Sequence, residues 1–224
     1  MNTLFQFIQI LTKPAKHFRN LKQNDLTRAK SFSFYLFFVI VSFGTVFIWG
    51  FLQYFFDKPN TGFLDSALLI SLTPSFIILF LLLLAPIIYS TTLLSILKHK
   101  GLNSDKELVF IAALRSLSII PFYITLLSLF LISVMLFFPS LEISSTILIY
   151  TVLSTIILSI FHTGSTTAKA INTITNLKQE SVLRIAITSV LITFLIFLLI
   201  LGTIVSILYA IALILLLFGI LTYF

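Results

Sequence analysis

Forty consecutive residues, Ile185 to Phe224, carry no charged side chain. As a helix they would run about 60 Å at ~1.5 Å per residue, twice a hydrocarbon core of ~30 Å. Further apolar blocks cover residues 31–54, 64–97, 108–138 and 143–161. The chain is 59% hydrophobic and only 9% charged, where a soluble domain carries about a quarter charged residues. Lipid must therefore solvate most of it. In lipid, only helices and closed barrels satisfy their own backbone groups. The runs are continuous and not alternating, which excludes the barrel pattern. The expected fold is all-α, a polytopic transmembrane helical bundle.

Residues 1–30 differ from the rest and form a basic amphipathic segment, cytoplasmic or interfacial, ahead of a transmembrane domain over 31–224. Leu4, Ile8 and Leu11 fall at i, i+4 and i+7, one face of a helix. Pro14 suits the first turn of a second short helix. Lys13, Lys16, Arg19, Lys22, Arg28 and Lys30 crowd the same stretch. The expectation is a segment lying in the interface, apolar side down and basic side toward headgroups; the alternative is a disordered basic leader. No small-residue cleavage site follows the first apolar patch, so the first span is expected to act as an uncleaved insertion signal.

Five spans are expected. Trp49, Tyr54, Phe55 and Phe56 close the first like an aromatic belt, before a turn over Asp57 to Gly62. Pro74 and Pro86 mark kink points in the second. Gly101 is placed to end it as a C-cap. Ser104 and Glu107 have the spacing of a capping box and start the third helix. A turn over Phe138 to Glu142 precedes the fourth. The stretch His162 to Ser181 is polar, though Ala168, Ile171, Ile174 and Leu177 recur every three residues. A single last helix is favoured; a hairpin near Gly202-Thr203 would make six spans. Basic residues gather before the first span, between the second and third, and between the fourth and last. The positive-inside rule then puts the N-terminus and both basic loops in the cytoplasm of a multi-pass cell (inner) membrane protein. The net charge of +7 lies beside the spans, so anionic lipid headgroups, and not nucleic acid, are the expected partner.

Signatures of chemistry are sparse. The chain has no cysteine, which removes thiolate metal sites and cysteine nucleophiles together. His17, His99 and His162 sit at span ends or in basic segments and read as solvated, with no metal-ligand cluster around them. The acidic residues lie in loops or at span ends, where coupled carriers keep ionisable groups inside the membrane. No glycine loop for a nucleotide is present. The reading is a non-enzyme without a cofactor. Arg115 stands about eleven residues into its helix, counted from Ser104. Its expected fate is to snorkel to the interface; the sharper alternative is a lipid phosphate or anionic partner held by its guanidinium. Candidate contacts for lipid or partner are Lys13, Lys16, Arg19, Lys98, Lys100, Arg115 and Lys169. Polar content inside the spans is confined to Ser and Thr, such as Ser71, Thr73, Ser75, Thr125, Ser128, Ser133, Ser154 and Thr155, which bond helix to helix without a substrate.

Certain short elements fall in a familiar order. Leu11 to Phe18 contains Pro14 and, four residues on, Phe18, just before the first span. Gly101 lies in the loop before the third span, and Ser118-Ile119-Ile120-Pro121 follows, with Leu117 where tyrosine is common. Thr166-Thr167-Ala168-Lys169-Ala170 follows the fourth span. Together these resemble the Yip (Ypt/Rab-interacting protein) membrane domain family over nearly the whole chain. The chain lacks the long polar N-terminal domain of eukaryotic members and looks like the compact prokaryotic ones. The resemblance implies five spans, no catalytic residues, and a membrane-organising, trafficking or scaffold role with a membrane or cytoplasmic protein partner. The alternative is a permease-like or small-molecule-handling protein or transporter subunit, with Pro74, Pro86 and Pro121 as the kinks that open a cavity.

Overall fold

Backbone that lipid surrounds has to bond to itself, and this chain does so with helices throughout. The computed structural model describes residues 3–23, 27–57, 64–101, 105–137, 145–175 and 179–221. Their elements are α1 (Thr3–Thr12), α2 (Pro14–Gln23), α3 (Arg28–Asp57), α4 (Leu64–His99), α5 (Lys106–Leu117), α6 (Ile119–Phe137), α7 (Ser145–Thr175) and α8 (Gln179–Leu221). Five stretches are long and apolar enough to cross a membrane: Arg28–Gln53, Ser75–His99, Lys106–Phe137, Thr146–Thr173 and Ser181–Ile204. The protein is an all-α polytopic bundle. The turns expected over 58–62 and 138–142 lie outside the described residues, as does Ser104.

The last block is the single helix favoured from the sequence, with no hairpin at Gly202-Thr203; other boundaries depart from the expected ones. The hydroxyls of Thr203 and Ser206 bond back to Leu199 and Gly202 at 2.8 Å, which leaves no polar turn to break it. The fourth span does not stop at Phe161; α7 continues to Thr175. Ala168 and Ile171 on its extension are buried against Val182, Ile185 and Ala186 of α8. The third helix is capped by Asp105, not Ser104: the Asp105 carboxylate accepts the Glu107 N–H at 2.8 Å. The 108–138 block is two helices broken at Ser118. Proline has no N–H and its ring crowds the carbonyl four residues back, so Pro121 leaves the Leu117 carbonyl without its helical donor, while the Ser118 N–H still bonds to the Leu114 carbonyl at 3.3 Å and the Phe122 N–H to the Ser118 carbonyl at 3.4 Å. The Ser118 hydroxyl then donates to the Arg115 carbonyl at 2.6 Å.

The spans form a closed ring: α3 packs on α4 and α6, α4 on α8, α8 on α7, and α7 on α6. At one end, α5 packs against α3, α4 and α7. That end carries Lys98, Lys100, Lys106 and Arg184, and is called the basic end below. Gly164 lets α7 approach α8 closely; a Cβ there would lie 3.1 Å from the Ile187 side chain. Tyr89, fully buried, donates to Thr167 at 2.8 Å and ties α4 to α7.

The α3–α4 contact rests on a carbonyl that Pro86 sets free. In an uninterrupted helix the Leu82 carbonyl would accept from the N–H at position 86, which proline lacks. The Tyr35 hydroxyl donates to that carbonyl from α3. Within lipid a freed backbone group needs such a partner. Tyr35→Phe should therefore cost about 1–3 kcal/mol through the orphaned carbonyl. Restoring the N–H with Pro86→Ala should make the same Tyr35→Phe change nearly free. Thermal unfolding of the two single variants and the double variant in one detergent measures this, and equal costs in both backgrounds would refute the pairing.

Candidate functional site: an N-terminal collar and an apolar cavity

The basic end is built around Arg115, which is not at the surface. It is 2% exposed, so the expected snorkelling does not occur, and it is no free lipid contact. Its Nη1 donates to Gln6 Oε1 at 2.8 Å and its Nε to Ser31 Oγ at 3.4 Å. The guanidinium carbon stands 4.0 Å from the centroid of the Phe34 ring, close enough for a cation–π contact. The only ion pair among the described residues is elsewhere, Arg28 with Glu107 at 3.5 Å and well exposed. Arg115 is thus a buried cation solvated by an amide, a hydroxyl and an aromatic face.

These contacts draw α1 onto the bundle. Phe7 and Ile10 are buried with Phe34 and Phe38, with the Phe7 ring centroid 4.2 Å from Phe38 and 4.7 Å from Phe122. The buried face carries Phe7 and Ile10; of the expected face, Ile8 is 47% exposed, Leu11 is only partly buried and the Leu4 side chain lies outside the described residues. Gln6 decides this, because the residue that meets Arg115 fixes the rotation of the helix. The amphipathic segment forms two helices whose Phe7, Ile10 and Phe18 pack on the bundle. Pro14, buried, starts α2. Phe18 then packs on Ala112 of α5 and Ala170 of α7. Side chains from the first and last of the resemblance elements thus meet in one small cluster.

The remaining singled-out residues fall as follows. Lys13, Lys16 and Arg19 are exposed on the collar, and Lys98, Lys100 and Gly101 are exposed at the end of α4. Gly101 has φ 72, a left-handed value that suits glycine, and its N–H bonds to the Lys98 carbonyl at 2.9 Å. Lys169 is half-buried and Ala170 fully buried; Ser118 and Pro121 are buried at the break between α5 and α6. Of the histidines only His99 is exposed as expected. His162 is half-buried with Nδ1 3.2 Å from the Tyr123 hydroxyl. His17 is 3% exposed and its Nε2 has no partner. The sequence offered one signal for the collar, Gln6 and Gln9 inside an apolar patch, without marking which of them meets Arg115; nothing in it marked Ser31 or Phe34.

Inside the ring lies a cavity of about 420 Å³, walled by all five spans through residues such as Val46, Leu81, Leu127, Val152 and Phe194. Tyr35, Tyr89, Leu117 and Val190 close it toward the basic end, each almost wholly buried. Trp49, Leu148 and Leu201 line the opposite end and are half-buried. No charged side chain lines it among the described residues. The lining hydroxyls are all engaged: Ser128, Thr155, Ser159 and Thr193 donate to carbonyls of their own helices. Tyr35, Tyr89 and Tyr123 pair with Leu82, Thr167 and His162.

Compared with protein-family models, curated proteins and solved structures, the chain returns no significant match. Its geometry establishes a multi-pass integral membrane protein.

Removing the guanidinium should release the collar. Arg115→Met keeps bulk but strands Gln6, and α1 should become cleavable by protease at rates at least tenfold above wild type while the spans stay intact. Equal cleavage rates would show that Arg115 does not hold α1. The collar should also be acid-sensitive. Burial, and then the nearby Arg115 charge, push the His17 imidazole down to about 4 from 6.5. The released segment binds the proton more tightly than the docked one, so docking is strongest above pH 6.5 and weakens as pH falls toward 4. The full effect is about 3 kcal/mol at ~1.4 kcal/mol per pH unit. Hydrogen exchange of α2 amides, corrected for intrinsic rates, should rise over that window in wild type and stay flat in His17→Leu.

Proposed function

We propose that the protein is a non-enzymatic, membrane-organising scaffold of the Yip type, set in the cell (inner) membrane with its basic end in the cytoplasm. The observation that supports this is the docked collar. It presents Lys13, Lys16 and Arg19 in the open, beside Phe5 at 52% and Ile8 at 47% exposure. A rigid surface with exposed cations next to exposed apolar side chains matches the headgroup–acyl boundary of an anionic leaflet. Lys98 and Lys100, exposed at the end of α4, extend the same charge. A soluble or membrane-bound protein partner carrying acidic groups would meet this surface from the cytoplasm.

The permease reading draws less support. Polar solutes need unpaired donors or acceptors along their route, and the hydroxyls lining the cavity are already paired. Coupled carriers also keep ionisable groups there, whereas no charged side chain among the described residues lines this one.

Each surface cation contributes about 1 kcal/mol of attraction to an anionic leaflet. Reversing all three (Lys13→Glu, Lys16→Glu, Arg19→Glu) should cut the anionic lipid co-purified in mild detergent at least tenfold, with zwitterionic lipid unchanged. Unaltered anionic lipid would sink the surface-binding role. Purification from the native membrane should yield a non-transport partner; a stoichiometric transport ATPase would replace the scaffold reading with a permease one.

A further inference from the structure

We infer that the cavity inside the five-span ring holds one acyl chain of a membrane phospholipid. It lies within the ring formed by α3, α4, α6, α7 and α8. Its open end lies where the spans meet the membrane interface, within reach of lipid tails, and its lining is almost wholly apolar. Its lining presents hydrocarbon and engaged hydroxyls, so a ligand gains nothing there by carrying polar groups. An apolar cavity of this kind stays dry and takes apolar guests. At about 420 Å³ it is of the size that holds a small ligand.

Shape narrows the guest to a chain. Along α6 the lining runs from Ile120 to Leu131, about 17 Å at ~1.5 Å per residue. A lipid tail occupies one leaflet, about half of a ~30 Å core. The cavity is thus long enough for a whole tail. It is also blind: burial is nearly complete around Tyr35, Tyr89 and Leu117, and falls at Trp49, Leu148 and Leu201. A chain would enter from that second end, methyl first, with its headgroup left outside. The guest is assigned to a phospholipid, the bulk acyl-chain lipid of the surrounding bilayer, and no cation among the described lining residues favours the carboxylate of a free fatty acid over it. Trp49 sits on the lining at the open end, the place where an indole meets the membrane interface.

Trp49 is also the only tryptophan in the chain, which makes it a reporter. The first test uses wild-type protein stripped of lipid in detergent and titrated with phosphatidylcholine brominated along one acyl chain. Quenching of Trp49 fluorescence should saturate near one equivalent. Quenching that grows linearly with lipid, without saturation, overturns the proposal. The second test is native mass spectrometry of protein purified from membranes. Wild type and Ile149→Phe, altered at a site 56% exposed on the outer face, should each retain one phospholipid. Ala85→Phe and Val152→Phe, which fill the cavity, should lose it at least tenfold. Equal retention in the filled variants, or a retained fatty acid or polyisoprenoid in place of phospholipid, overturns it. The titration needs no variant, so it decides the question even if a filled variant fails to fold.

Discussion

The guanidinium of Arg115 sets the arrangement of the basic end. A charge removed from water has to be solvated by the protein around it. No carboxylate among the described residues pairs with it; Gln6, Ser31 and Phe34 do the work instead. Because Gln6 is far away in sequence, that demand brings α1 back onto the third span. Once α1 is seated, Phe7 and Ile10 have a fixed place among aromatic rings. Pro14 then turns the chain into α2, and Phe18 reaches Ala112 and Ala170. The basic face of α2 is left pointing outward as a consequence of what its other face must cover.

A second constraint acts on the backbone. Prolines leave carbonyls without helical partners, and lipid offers none. At Pro86 the helix stays continuous because Tyr35 supplies the missing donor from α3. At Pro121 the helix gives way, and α5 is separated from α6 at Ser118. At Pro121 the break is one residue wide, bridged by the Ser118 N–H on the Leu114 carbonyl and the Phe122 N–H on the Ser118 carbonyl. This break lets α5 close the basic end while α6 completes the ring, and the cavity is the space the ring encloses beyond that closure. The collar and the cavity are thus neighbours across one layer of packed side chains, Tyr35, Tyr89 and Leu117.

Much of the architecture was readable without coordinates. Long uncharged runs specify spanning helices because lipid tolerates little else, and so the five spans and their order follow from residue type alone. Element ends were harder. Phe161 looked like an end because polar residues follow it, yet Thr166, Thr167 and Ala168 are buried against neighbouring helices. Small polar side chains serve as helix-packing surface in a membrane protein, so polarity by itself does not mark a loop. The capping position moved from Ser104 to Asp105 for a similar reason: adjacent residues with equal capping ability are separated only by backbone geometry.

The sequence by itself determined that this chain enters a membrane, that it does so as helices, and that its cations collect at one end. Those properties are sums over residues, insensitive to which side chain meets which. Only the tertiary structure decided the fate of Arg115, the rotation of α1, the pairing of Tyr35 with a freed carbonyl, and the existence of an apolar cavity. Each of these depends on one atom meeting another across tens of positions in the chain. A guanidinium that could have reached the interface instead finds an amide, a hydroxyl and an aromatic ring within reach, and that encounter is a property of the packed bundle.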